Sequence, residues 1–275
     1  MQQADARGAL LGLSGGIDSA LLAALATLAL DPGTVHTYYL YDRYSTESLR
    51  RCARMVAAQL ELDHQEQSIS AAMRAAGVYR SSGMRLTAIS GRLNRMLYHI
   101  YSRSTGETPF HAALESGGLE PATWHRSLLA QAEAGMNARH RHRRTLLETV
   151  AQERGWLLLG AANRSEWLVG WFVKGGIDDL PAQPLLSLYK TQVRQLAAEM
   201  ELPACVFANP PSPDMLPGIT DEFGIGLDFE ALDLILEYLQ SGMDAGLLSR
   251  HGIRPEQIEY VRELVHRSAW KRAMG

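Results

Sequence analysis

Cysteine is scarce in this chain: Cys52 and Cys205 are the only two among 275 residues. They form no Cys-x-x-Cys pair, which argues against a disulfide framework, a zinc site and persulfide chemistry on paired thiols. No apolar stretch reaches about 18 residues without a charge, the length a membrane-spanning helix needs. Asp5 and Arg7 precede a short strand where a signal peptide would have its apolar core, so a cytoplasmic location is expected. Charge of either sign is not in excess. Lys and Arg number 27 against 30 Asp and Glu, a net charge of -3, so no broad positive field attracts nucleic acid. Repeats and low-complexity segments are also missing. What remains is an ordinary globular composition, 46% apolar and 21% charged, in a length that suits one sizeable core or at most two domains.

The most informative stretch is Leu11 to Ala20, Leu-Gly-Leu-Ser-Gly-Gly-Ile-Asp-Ser-Ala. An apolar run, Gly8 to Leu13, enters it, and an alanine-rich helical run, Ala20 to Leu30, leaves it. The glycines therefore fall on a strand-to-helix turn. Gly15 and Gly16 permit a tight turn and leave room for an anion. Backbone N–H groups and the hydroxyls of Ser14 and Ser19 can hold phosphate oxygens at the positive end of the helix. Asp18 would repel phosphate unless a divalent cation lay between them. Such a site suits a nucleotide polyphosphate with its magnesium. It is neither a Walker loop, which needs Gly-Lys-Ser/Thr, nor a Gly-x-Gly-x-x-Gly turn.

Around this loop, strand and helix alternate. Gly8–Leu13, Thr34–Tyr41 and His64–Ile69 read as strands. Ser19–Leu30 and Thr46–Leu60 read as helices, the second with Met55, Val56 and Leu60 at helical spacing and Ser45 or Thr46 as cap. The rhythm predicts a Rossmann-like, doubly wound α/β fold: a parallel sheet with helices on both faces and ligands beyond the strands' carboxyl ends. Residues 77–135 break the rhythm and are expected to form a helical or lid-like insertion. Order returns with a helix from Arg143 to Arg154, a buried strand Trp156–Leu159, and a helix start over Ser165–Phe172. A helix over Lys190–Met200 comes next, and closing helices are expected over Phe229–Gln240 and Pro255–Trp270. The chain, 1–275, is expected to be a single domain.

Further chemistry-bearing residues lie downstream. Lys190 opens a helix and can reach phosphate as a point charge. Glu166 follows a strand-end glycine, Gly160, and with Asp18 could hold one or two magnesium ions. Ser212 sits in a Pro-rich loop, and its hydroxyl could donate to pyrophosphate. Arg141 and Arg143 can clamp phosphate or carboxylate. Each also has a structural reading, as a solvated helix charge, a helix-terminal acid or a turn serine; Asp221 and Glu222 could simply cap the segment after them.

The Ser14–Ser19 run resembles the PP-loop of the ATP pyrophosphatases. Four downstream segments then occur in order: Gly160–Glu166; Gly170-Trp-Phe-Val-Lys174; Pro184-Leu-Leu-Ser-Leu-Tyr-Lys-Thr-Gln-Val193; and Pro210–Glu222. Upstream of them, Asn137 precedes Arg141 and Arg143. Together these are similar to the ammonia-dependent NAD synthetases, an adenine nucleotide alpha-hydrolase-like fold, over roughly residues 8–70 and 137–270. The resemblance implies an enzyme that uses ATP and Mg²⁺ to adenylate a carboxylate, nicotinic acid adenine dinucleotide, and passes ammonia to it, leaving AMP and pyrophosphate. It implies catalytic roles for Asp18, Lys190 and Ser212, and ATP contacts from Ser14, Gly15, Gly16, Asp18, Ser19, Arg141, Lys190 and Ser212. Acceptor contacts fall to Asn137, Arg143, Lys174 and Asp178, and metal ligation to Asp18 and Glu166. It also implies a homodimer, with ammonia free or from a separate glutaminase, since no glutaminase domain fits in this chain.

Departures from the family pattern gather on the acceptor side. Ile177 and Pro181 stand where acids are usual, Ala161 replaces a frequent Thr, Asn209 a common Lys, and His140 a usual Ala. The leading segment is shorter, and 77–135 is longer by a few tens of residues. The ATP half is intact by motif, so the same chemistry on another carboxylate, such as nicotinic acid mononucleotide or a specialised metabolite, is the alternative expectation. A PP-loop tRNA-modifying enzyme is disfavoured by the missing cysteine pair and the acidic balance. A non-catalytic nucleotide-binding module is disfavoured by Asp18, Glu166, Lys190 and Ser212 occurring together.

Overall fold

The computed structural model describes residues 6–114, 124–208, 217–242 and 245–273. Four parallel strands form one sheet, β1 (Gly8–Gly12), β2 (Val35–Tyr41), β3 (Asp63–Ser68) and β4 (Trp156–Leu159), in the order β3-β2-β1-β4. The register sets Leu11 opposite Thr37 on one side and Leu159 on the other. The order reverses at β1, so the loop leaving β1 lies at the switch point, where open α/β sheets bind ligands.

The helices in the first half are α1 (Ile17–Ala29), α2 (Glu47–Gln59), α3 (Ser70–Ala75), α4 (Ser82–Thr87), α5 (Gly91–Thr105), α6 (Pro109–Ala113) and α7 (Trp124–Arg154). In the second half they are α8 (Arg164–Val169), α9 (Lys190–Glu199), α10 (Cys205–Ala208), α11 (Asp221–Ile225), α12 (Phe229–Ser241), α13 (Ala245–Arg250), α14 (Pro255–Arg267) and α15 (Ala269–Arg272). The doubly wound reading is borne out, because β1 is apolar on both faces. Leu11 and Leu13 pack with α1, α2, α9 and α10, while Leu10 packs with α7 and α3 through Leu147, Ala151 and Met73. Side chains alternate across a strand, so one apolar run supplies two cores. A third cluster joins α8, α12 and α14 around Phe229, Leu232 and Leu264.

Thr46 caps α2 through Leu49 N, as its sequence suggests. Its buried face, however, is Cys52, Ala53, Val56 and Ala57, and Met55 is 52% exposed. The segment 77–135 is helical where described, and its last part is continuous with the helix expected from Arg143. The described part of that helix, Trp124–Arg154, is 31 residues, about 46 Å at 1.5 Å per residue. Packing decides this: α4 lies against α7, with Gly83 so close that a Cβ there would sit 2.1 Å from the Leu128 carbonyl. Arg139, fully buried on α7, donates from Nη2 to Asp42 Oδ1 (2.7 Å) just past β2.

The two cysteines correct the reading from composition. They are joined in a disulfide between α2 and α10, across 153 residues of sequence. Two cysteines with no local spacing pattern carry no sequence sign of pairing; the approach of α2 and α10, which brings the two Cα atoms to 5.8 Å, creates it. No helix among the described residues is long and apolar enough to cross a membrane.

Candidate active site

The β1–α1 turn forms because Gly15 adopts φ +81°, and a Cβ there would lie 2.1 Å from the Leu49 carbonyl of α2. Only glycine fits a left-handed position pressed against another helix. Inside the turn, the Ser14 and Ser19 hydroxyls lie 3.0 Å apart, Ser19 Oγ donates to the Gly16 carbonyl (3.0 Å), and Gly16 N–H donates to Ser14 Oγ (3.3 Å). Gly16 is the N-cap of α1 and supplies no side-chain cap. The first N–H groups of α1 therefore have no side-chain acceptor, and the positive end of the helix is open to an anion.

Lys190, on the first turn of α9, lies under this loop with its side chain 1% exposed. Its Nζ donates to Asp18 Oδ2 and to Glu166 Oε1, the latter at 2.9 Å. Asn163, fully buried at the N-cap of α8, locks both acids. Its Nδ2 donates to Asp18 Oδ1 (2.8 Å), and its Oδ1 accepts from Glu166 N–H (3.0 Å). The start of α9 is itself held: Lys190 N–H donates to Ser165 Oγ (2.8 Å), Ser165 donates to Asp233, and Asp233 Oδ2 accepts from Thr191 N–H (2.8 Å). Two strand-end turns and one helix start thus converge on a single ammonium.

The electrostatics arise from burial. Desolvation drives Glu166 up to about 8, with Lys190 opposing the rise and Asp18 adding to it. Burial would lower Lys190, but Asp18 and Glu166 more than offset it, and its pKa is raised. Asp221, also buried, is pushed up to about 6 by desolvation. The site holds more carboxylates than cations, which favours a divalent ion or a proton.

A cavity of about 540 Å³ opens from this cluster. Ser14, Gly16, Asp18, Ser19 and Glu166 line one end; Asn137, His140, Arg143 and Asp178 line a wall; side chains of α5, α6 and α7, among them Leu97, Tyr98, Phe110 and Leu128, complete it. The structure brings most of the expected residues together, but not all. Gly15 and Lys190 lie behind the cavity surface, and Arg141 and Lys174 do not line it either. Arg141 Nε donates to the Lys174 carbonyl (3.4 Å), and Lys174 Nζ donates to the carbonyls of Lys271 (2.8 Å) and Ala273 (3.2 Å). Arg143 Nε donates to the Leu40 carbonyl (3.0 Å). Ser212 lies outside the described residues.

Sequence reasoning missed three participants. Asn163 sits within the Gly160–Glu166 motif but shows its role only when Asp18 is folded against it. Asp221, readable as a helix-terminal acid, accepts from the Trp171 indole N–H (2.9 Å) and faces the cavity. Lys271, near the end of the chain, lines the cavity and donates to the Gly170 and Phe172 carbonyls (2.8 and 2.6 Å). No spacing rule connects it to a site built from segments so distant in sequence.

Comparison with known proteins places this geometry. The sequence model of the family described as NAD synthase matches residues 1–105 and 117–275, so most of the segment 77–135 lies within the matched blocks. The chain is 33% identical over 262 residues to the NH(3)-dependent NAD(+) synthetase of Thermotoga maritima, covering 95% of this chain and 89% of that one. It is 34% identical over 241 residues to the protein of the same name from Coprothermobacter proteolyticus, covering 86% and 80%. Its fold is similar to the NMN synthetase of Francisella tularensis (TM-score 0.71, 23% identity, covering 100% of this chain and 90% of that one). It is also similar in fold to the NH3-dependent NAD synthetase of Campylobacter jejuni (TM-score 0.66, 21% identity, 100% and 90%). With the glycine loop and its lysine-bridged acids in place, and with the match running along both halves, this chain belongs to the NAD synthase family of carbon–nitrogen ligases.

Proposed function

We propose that this chain adenylates the carboxylate of nicotinic acid adenine dinucleotide with ATP and transfers ammonia to it, releasing AMP and pyrophosphate. One observation carries the reading: Lys190 Nζ bridges Asp18 and Glu166 directly below a glycine loop whose helix end is uncapped. Phosphate oxygens lie against the loop N–H groups and the Ser14 and Ser19 hydroxyls. The acceptor carboxylate attacks the α-phosphorus, and pyrophosphate leaves. Lys190 opposes the negative charge that accumulates there. Ammonia then attacks the acyl-adenylate, and AMP departs.

The donor set fits magnesium. Asp18 and Glu166, which share Lys190 Nζ, would supply hard oxygen ligands, and the buried acids outnumber the nearby cation. Bound there, the ion would screen phosphate charge and polarise a phosphoryl oxygen. Asn137, Arg143 and Asp178 are assigned to the acceptor, and Ser212 to pyrophosphate. Arg141 and Lys174, turned to backbone carbonyls, are assigned to shaping the wall behind the acceptor. The reading carries a homodimer and free ammonia, or ammonia handed over by a separate glutaminase.

The test supplies MgATP, ammonium and the dinucleotide, with nicotinic acid mononucleotide as comparator. AMP, pyrophosphate and NAD are the expected products, with kcat/KM of about 10⁴ M⁻¹s⁻¹ or more for the dinucleotide. ADP with orthophosphate would refute the adenylation step. Turnover of the mononucleotide alone would move the acceptor to the smaller nucleotide.

A further inference from the structure

His140 projects from α7 into the cavity that the Ser14–Ser19 loop opens on. Its side chain is 12% exposed, and Nδ1 lies 3.3 Å from Asp178 Oδ2. Nδ1 is fully buried and has no aligned hydrogen bond. Both residues are fixed from behind. Gly176 is pressed against the His140 Cβ, where any side chain would come within 3.1 Å. Gln183 Nε2 donates to the Asp178 carbonyl (2.7 Å), while its Oε1 accepts from Ala162 N–H (3.0 Å) at the end of β4. The imidazole–carboxylate pair is thereby tied to the strand-end turn that leads to Glu166. Asp178 stands on the Nδ1 side, which leaves Nε2 as the nitrogen able to meet a ligand. A nucleophile that must shed protons has a use for such a pair.

We propose that His140, oriented by Asp178, is the base of the amidation half-reaction. This rests on the proposed amide-ligase function. Ammonia's lone pair forms the C–N bond to the acyl-adenylate carbonyl. One N–H proton of the adduct passes to His140 Nε2. The carbonyl reforms as the C–O bond to the AMP phosphate breaks, the electron pair leaving with AMP. His140 then returns the proton to solvent. Asp178 touches no reacting atom; it is a positioning residue that selects the tautomer carrying hydrogen on Nδ1.

The experiment separates the two half-reactions on the full-length protein. The pyrophosphate burst with MgATP and the dinucleotide is read without ammonium, then amide formation is read with it. His140→Ala and His140→Gln should leave the burst within about threefold and slow amide formation by about 10²-fold or more. Added imidazole should restore part of the His140→Ala loss, which a purely structural role would not allow. Asp178→Asn should slow the same step by a smaller factor. Amide formation at the wild-type rate in both His140 variants, or equal loss of burst and amide with no imidazole rescue, would overturn the assignment. Failure of wild-type protein to release pyrophosphate would instead overturn the amide-ligase function itself.

Discussion

Lys190 and Glu166 meet at 2.9 Å beneath the glycine loop, and the same Nζ holds Asp18. Charge that would otherwise be costly to bury is balanced only while all three are present. Removing one partner of a buried pair leaves the others uncompensated. Lys190→Met should therefore cost about 3–5 kcal/mol of stability in ligand-free protein. It should also abolish pyrophosphate release even where the protein is still folded. Chemical denaturation with and without MgATP checks both parts. A stable Lys190→Met protein with normal turnover would contradict the arrangement.

Glu166 gives the pH dependence its sign. Its folded pKa, about 8, lies above its ordinary 4.5, so the folded chain binds more protons than the unfolded chain in between. Stability from this group is fully present below the lower value and is lost as pH rises through the upper one. Ligand-free protein should therefore melt at a lower temperature at pH 8 than at pH 5, and Glu166→Gln should flatten the slope. Magnesium with ATP should restore the wild-type Tm at the alkaline end. A Tm that rises steadily across this range in wild type but not in the variant would reverse the expected sign.

Gly15 tests the loop by shape alone. Gly15→Ala places a methyl on a left-handed residue facing the Leu49 carbonyl at 2.1 Å. The expected loss is about 1–3 kcal/mol of stability, together with loss of ATP binding as α2 is pushed off the turn. Calorimetric titration with MgATP is the measurement. Unchanged affinity would show that the turn tolerates what its geometry forbids.

The Cys52–Cys205 link should stabilise through the unfolded chain. It closes a span of 153 residues and ties α2 to α10. Cys52→Ser with Cys205→Ser, or reduction of the wild type, should cost about 2–4 kcal/mol. Denaturant titrations with and without reductant decide it. Identical midpoints would mean that the link contributes nothing.

Much of this was legible in the residues. The alternation of apolar strand runs with helical spacing is local, so β1 to β4 and the helices α1, α2, α8, α9, α12 and α14 could be placed within a few residues. The Ser14–Ser19 turn could be read in the same way, because glycine, hydroxyls and an acid at a strand-to-helix junction act within one turn. Glu166 and Lys190 could be marked as candidates from their motifs.

Their relation to each other could not. Lys190 had the local pattern of a solvated helix lysine and is buried, because α9 packs on α1 and brings its first turn under the loop. Asn163 becomes a clamp, Asp221 a cavity residue and His140 a partner of Asp178 by the same kind of long-range meeting. The cysteines pair although composition argued against it, and α7 extends well before Arg143, where α4 packs against it. Local pattern determined which segments are strands and helices and which turn takes an anion. Tertiary structure decided which charges face each other, because that depends on strand order and helix crossings between residues far apart in the chain.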